Sequence, residues 1–269
     1  MSVQVHFGSL LRQWRDRRGL SQLTLANNAD ISPRHLSFLE TGRSSPSREM
    51  ILRLADELQV PLRFRNVLFA AAGFAAVYTV RSLDDSNLQA VMNVVQTVIK
   101  GHEPNPAMAI DQRWNIVAMN DATRLLTAGA APELLRPPLN AMRIALHPGG
   151  LAPAILNFDE WHTHSLRTLK QRADATGDLQ LMELLEEVKA YRYDRQPMGR
   201  GFAPHAGFAV PLRLSTTQGP VNLITTTMMF GLARDVTVSE LAIECLFPAD
   251  SQSSNNVIAL GDAAVAWVY

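Results

Sequence analysis

The strongest constraint on this fold is a pair of helices, between residues 21 and 41, each too short to be stable alone. Isolated helices below about 12 residues are marginal in water, so both must bury an apolar face. Ser21 is placed to cap the first, which carries Leu25 and Ala26. Ala29-Asp30-Ile31 makes a tight turn, Ser32 caps the second helix, and Pro33 takes its favoured first position. That helix runs to Thr41 and stops at Gly42. The same punctuation continues on both sides. Leu10, Leu11 and Trp14 share one face of an earlier helix that Gly19 ends. Ser47 caps a helix with Ile51, Leu54, Ala55 and Leu58 at core spacing, and Pro61 opens a fifth that ends near Gly73. The pattern predicts an all-α bundle of five helices.

Two short helices joined by a three-residue turn within such a bundle make a helix-turn-helix, a DNA-reading device. On the second of the pair Leu36 and Leu39 face inward with Ile31, which leaves Arg34, His35, Ser37 and Phe38 outside. An ordinary surface helix carries Glu/Lys pairs there; this one carries hydrogen-bond donors and an aromatic ring. On its face the overall charge opposes a DNA role, because 25 basic and 25 acidic residues cancel. The cancellation is between regions. Residues 1 to 65 hold 10 basic and 6 acidic residues, a balance of +4, and the remainder carries −4. An excess of +4 gives weak, salt-sensitive affinity for any duplex, so specific contacts must supply the preference.

The string RDRRGLSQLTLANNADISPRHLSFLETGRSSPSREMILRLADELQVP resembles the lambda-repressor-like, or XRE-type, helix-turn-helix family. The shared signs include Arg15, Gly19-Leu20-Ser21-Gln22, Leu25-Ala26, Ile31-Ser32, Leu36, Leu39-Glu40, Gly42-Arg43, Pro46 and Leu54-Ala55. Asp30 departs from the family's usual glycine, but Asp tolerates a left-handed turn better than most residues. The resemblance implies that Gln22 bonds a phosphate and supports a base contact. It sets Ser32, Pro33, Arg34, His35, Ser37 and Phe38 on the recognition helix, and Arg43 and Ser44 on phosphate. Arg34 suits bidentate bonding to guanine, and Phe38 suits a thymine methyl. Arg15 and Glu40 match an internal salt bridge. The implied partner is a palindromic operator bound by a homodimer, with half-sites about one helical turn apart.

Beyond residue 76 the pattern changes. Leu88 through Ile99, with Val91, Val94, Val95 and Val98, predicts a helix inside a linker of residues 77–104. Ala107 to Ile110 and Trp114 to Met119, around Asp111-Gln112-Arg113, read as a hairpin, and Asn120 as a cap for a helix through Leu126. Asn140 to Tyr191 is helical by pattern, and Phe208 to Leu214, Val221 to Phe230 and Leu241 to Phe247 are β-rich. Two strands, several helices and three strands predict an α+β domain over residues 105–269: a five-stranded antiparallel sheet with helices on one face, the PAS-like arrangement.

The strings WNIVAMN, IALHPGGLAPAILNFDEW, ELLEEVKAYRYDR and PLRLSTTQGPVNLITTTMMFGLARDVTVSELAIECLFPAD resemble the MmyB-like regulator ligand-binding domain. The resemblance implies a sensor of a small apolar molecule such as a fatty acid, and no other cofactor. A cavity between sheet and helices suits such a ligand. Its candidate walls are Trp114, Val117, Met119, Leu146, Trp161, Leu166, Tyr191, Met228 and Phe230, since methionine and aromatic side chains build adaptable pockets. Asn120, His147 and Arg113 are candidate polar anchors. The alternative is a C-terminal half that only dimerises or binds a protein.

Catalytic and metal sites are not expected. Asp159-Glu160-Trp161-His162-Thr163-His164 offers four ligands, but Asp159/His162 and Glu160/His164 do not converge on one helix. Cys245 lies mid-strand beside Glu244, without a basic neighbour to activate it. Gly199-Arg200-Gly201 lacks the spacing of a phosphate loop. One cysteine fits a reducing compartment, the cytoplasm. The longest strongly apolar uncharged stretch, Asn66 to Val80, has 15 residues, short of the roughly 20 a bilayer span needs. Leu214 to Ala233 is also uncharged, but its Gly219-Pro220 and threonines read as strands and a turn.

Overall fold

The computed structural model describes residues 6–191 and 209–261, so Gly199-Arg200-Gly201 and Phe208 lie outside the described residues. The chain separates into two compact units. The smaller takes in residues up to Ser82 together with Asp174–Gly177 and Leu232–Ser239; the larger takes in the rest.

Five helices build the smaller unit: α1 (Phe7–Arg17), α2 (Gln22–Asn28), α3 (Pro33–Glu40), α4 (Arg48–Glu57) and α5 (Leu62–Ala71). Their starts are set by serine side chains that accept otherwise orphaned backbone N–H groups. Ser21 accepts from Thr24, Ser32 from His35 and Ser47 from Met50, at 3.0, 3.1 and 3.1 Å. Gly19 and Gly42 follow α1 and α3 at φ +65° and +72°, and Asp30 holds the α2–α3 turn at φ +49°. The departure from glycine at Asp30 therefore keeps the left-handed turn. Leu11, Trp14, Leu25, Leu36, Leu39, Ile51, Leu54, Leu58 and Phe69 form one buried core. Burying each such side chain contributes about 1.5–3 kcal/mol before the entropy of ordering is set against it. α1 crosses α3 in backbone contact: a Cβ at Gly8 would run into the carbonyl oxygens of Leu39 and Glu40. A short helix, α11 (Val236–Ser239), also belongs to this unit. Asp235, just before it, bridges to Thr79 and bonds Arg81.

The larger unit is an α+β domain around β1 (Ala107–Ile110), β2 (Ile116–Met119), β3 (Leu212–Thr216), β4 (Gly219–Met229) and β5 (Ala242–Pro248). All four pairings are antiparallel, and the order β2-β1-β5-β4-β3 is the PAS-like one. The uncharged stretch from Leu214 is the β3–β4 hairpin, turning at Gly219 with φ +104°. Helices α6 (Gln89–Gly101), α7 (Asp121–Thr127), α8 (Ala141–Leu146), α9 (Phe158–Thr176) as far as Ala173, α10 (Leu179–Ala190) and α12 (Ser251–Gly261) complete it. Asn120 caps α7 by accepting from Thr123 N at 3.0 Å.

Two sequence expectations need correction. Trp114 is not in the second strand. Asp111 Oδ1 accepts from Arg113 N at 2.7 Å and from Asn115 N at 2.9 Å, which widens the hairpin turn. Trp114 sits within that turn at φ +61°, and β2 begins at Ile116. Helices also cover both sheet faces rather than one. Register puts Ala107, Ala109, Ile243 and Cys245 on the same face, against Val95 and Ile99 of α6. Ile110 and Ala242 point the other way, into the cluster formed with α8, α9 and α10. Among the described residues no helix is long and apolar enough to cross a membrane.

Candidate DNA interface and ligand-domain cavity

The DNA-facing candidates sit on or beside α3. Ser32 is its cap, Pro33 and Arg34 are exposed in its first turn, and His35, Ser37 and Phe38 are half-buried along it. Arg43 is exposed and Ser44 half-buried in the loop that follows. That loop folds back because the N–H groups of Arg43 and Ser44 both donate to the Phe38 carbonyl, at 2.9 and 3.2 Å. The Arg34 and Arg43 guanidinium carbons then lie 5.3 and 5.9 Å from the Phe38 ring centroid.

Behind this face, a buried carboxylate fixes α1, α2 and α3 together. Arg15 donates to Glu40 through Nε at 2.6 Å and through Nη2 at 3.1 Å. The pairing raises the Arg15 pKa above its ordinary value. Gln22 Nε2 donates to Glu40 Oε2 at 2.7 Å, so the glutamine matched to a phosphate contact is also tied to the core carboxylate. That tie restricts where its amide oxygen can point.

The expected ligand walls do not converge on one cavity. Trp114 and Leu146 are buried in the α8–α10 cluster, with Trp161, Leu166 and Tyr191 packed against it. Val117 and Phe230 pack on the α6 side of the sheet. Met228 shares the face of Ile243 by register and is 43% exposed. The three expected anchors are each engaged elsewhere. Arg113 Nε donates to Asp178 at 2.9 Å, and His147 Nδ1 accepts from Gly149 N at 2.9 Å. Asn120 Oδ1 accepts from Ala107 N and Thr123 N, while its Nδ2 donates to the Ile99 and Asn105 carbonyls. An amide with its acceptor and both donors in use has little left for a ligand.

Met119 and Asn120 do line a cavity of about 810 Å³, half open to solvent, between α6, α7 and α12. Its apolar wall is Ile99, Leu125, Leu126, Val257 and Leu260, and the exposed Lys100 and Arg124 also line it. Asn120 braces this cavity, because its side-chain bonds join the end of α6, the start of β1 and the start of α7. Glu103 Oε1 adds a bond from Asp121 N at 2.8 Å. Sequence reasoning missed the α12 wall. The available signal was the apolar run Val257-Ile258-Ala259-Leu260 after the last strand.

Charged groups elsewhere in this unit are structural in geometry. Glu187 binds Arg143 at 2.8 and 2.7 Å and accepts from the Tyr191 hydroxyl at 2.6 Å. Arg143 holds the Glu187 pKa below the usual carboxylate range, and burial together with Glu187 pushes the Tyr191 hydroxyl up. Arg172 stacks 3.9 Å from the Trp114 ring centroid. Burial lowers the Arg172 pKa and raises that of Glu244. His162 stacks on Phe158, and burial lowers its pKa. Cys245 is buried in β5, where burial pushes its thiol up. Among the described residues no group of three or more His, Cys, Asp or Glu could hold a metal ion.

Comparison with known proteins matches both units to families. A helix-turn-helix family matches residues 11–64. The family described as the MmyB-like transcription regulator ligand binding domain matches residues 91–260. Two solved structures are similar over about a quarter of the chain. The clp gene regulator ClgR of C. glutamicum is 31% identical over 25% of this chain and 84% of its own, with a TM-score of 0.23. The restriction-modification controller protein C.AhdI of Aeromonas hydrophila is 34% identical over 24% of this chain and 98% of its own, with a TM-score of 0.22. No curated protein matches the chain. The ligand-binding family covers more than half of the chain, and the chain belongs to the transcription regulators that carry an MmyB-like ligand-binding domain.

Proposed function

We propose that this DNA-binding regulator reads a palindromic operator as a homodimer through α3, in the cytoplasm, and that a small apolar molecule held by its larger unit changes its operator affinity. Arg34 takes a guanine edge, with Ser32, Pro33, His35, Ser37 and Phe38 forming the rest of the reading face. Gln22, Arg43 and Ser44 take phosphates and set register without reading sequence. The ligand is an apolar chain such as a fatty acid. The observation that carries the sensing claim is the cavity of about 810 Å³ in the unit that matches the ligand-binding family. Small-molecule sites run from about 300 to 1,000 Å³ and are mostly apolar with a few polar groups. A ligand acts on DNA binding only through a difference in affinity between two conformations of the protein. We assign no catalytic activity.

Native mass spectrometry of gently purified full-length protein tests the sensing claim, with thermal shift against saturated fatty acids. We expect a retained lipid-sized mass and a rise in melting temperature. Ala128→Trp, at an exposed position lining the cavity, removes both while the protein stays folded. No retained mass and flat thermal shifts sink the claim.

A second reading, in which the larger unit joins two copies and senses nothing, is favoured by an uncharged stripe on the sheet. Ile224 pairs with Phe247 and Met228 with Ile243, and Ile224, Met228 and Phe247 are each over a third exposed. The Ala128→Trp comparison separates the two readings, because that residue is not part of the stripe.

A further inference from the structure

We propose that Phe38 is a positioning residue: its ring holds Arg34 and Arg43 as a pair, so that base reading and phosphate binding engage the duplex in fixed register. Arg34 lies one turn before Phe38 on α3, so the two side chains share a face. Arg43 lies past the helix end and returns because its own N–H and that of Ser44 donate to the Phe38 carbonyl. The guanidinium carbons stand 5.3 and 5.9 Å from the ring centroid, within the about 6 Å reach of a cation–π contact. Phe38 therefore organises both arms, one through its ring alone and the other through ring and backbone.

Two like charges against one ring repel each other, and the negative π face offsets that repulsion. A polyanion completes the arrangement. The arginines meet the duplex with part of their ordering cost already met, which is the advantage of preorganisation. Phe38 is half-buried and lies outside the core cluster of the helical unit, so closing the bundle does not require its ring.

This role differs from the thymine-methyl contact suggested by the family resemblance, and the two predict different outcomes. Phe38→Leu keeps an apolar group for a methyl but removes the π face, whereas Phe38→Tyr keeps the face. The inference rests on α3 being the reading helix, which Arg34→Ala tests separately.

The experiment selects bound duplexes with the full-length wild-type chain. It then measures Kd on that set for Phe38→Leu, Phe38→Tyr, Arg34→Ala and the Phe38→Leu/Arg34→Ala double variant, with a melting curve for each. Losing the two ring contacts weakens Phe38→Leu about tenfold, while Phe38→Tyr stays within about twofold. Melting temperatures stay level. In the double variant the leucine costs less than it does alone, because part of its effect passes through Arg34. Phe38→Met repeats the comparison if the leucine variant melts early. Wild-type affinity for Phe38→Leu overturns the proposal, as do losses that simply multiply in the double variant. If Arg34→Ala binds the selected set unchanged, the assignment of α3 fails first.

Discussion

At the scale of single residues, Glu40 is the most consequential side chain in the helical unit. Its carboxylate is 2% exposed and accepts from both Arg15 and Gln22. Removing one partner of a buried pair strands the other charge, so Glu40→Ala should cost about 3–5 kcal/mol in chemical denaturation. A loss under 1 kcal/mol contradicts the assignment. The family match made the Arg15–Glu40 pair legible in the sequence. The Gln22 bond was not legible, because residues 18 apart in sequence meet there only through the α2–α3 turn. Glu187 supplies a pH prediction. Its folded pKa is depressed by Arg143, so its contribution to stability is present above its unfolded value of about 4.3 and is lost as pH falls through the lower folded value. Glu187→Gln should flatten the fall in melting temperature below about pH 4, with little effect on its pH dependence near neutrality.

Among elements, the helix starts and stops were the most readable part of the fold. Ser21, Ser32, Ser47, Gly19 and Gly42 are local signals, and each does its work within three or four residues. The crossing of α1 over α3 was not readable, because Gly8 looks like any helical glycine until α3 is placed against it. Gly8→Ala should destabilise the protein by about 1–3 kcal/mol, since backbone oxygens cannot step aside as a side chain can. Equal or raised melting temperature would disprove that contact. α6 teaches the same lesson about distance. Its apolar spacing announced a buried face, but period alone does not say against what. Val95 and Ile99 turn out to close one face of the sheet, and the same helix contributes Gln96, Ile99 and Lys100 to the cavity. Trp114 was misread as strand because its apolar bulk outweighed the turn signal of Asp111, which bonds two N–H groups ahead of it.

For the whole molecule, the helix-turn-helix bundle, the MmyB-like resemblance and the five-stranded antiparallel sheet were legible, while the strand order and the cavity were not. Its wall comes from three stretches far apart in sequence, around residues 96–106, 119–128 and 257–261. Sequence reasoning favoured large aromatic and methionine residues, and the packed core claimed most of those. The neutral total charge hid a basic N-terminal part, and operator affinity should fall steeply with salt in proportion to the phosphates neutralised. Arg43→Ala should reduce that slope by about 1 while leaving the order of preferred sequences intact. Sequence-specific reading by α3 is the central claim, and one comparison tests it most directly. Binding isotherms are taken for wild type and Arg34→Ala on the selected duplex and on a scrambled duplex of equal length. The prediction is that wild type prefers the selected duplex and that Arg34→Ala binds both alike at unchanged melting temperature. Retention of the full preference by Arg34→Ala would contradict the reading face proposed for this protein.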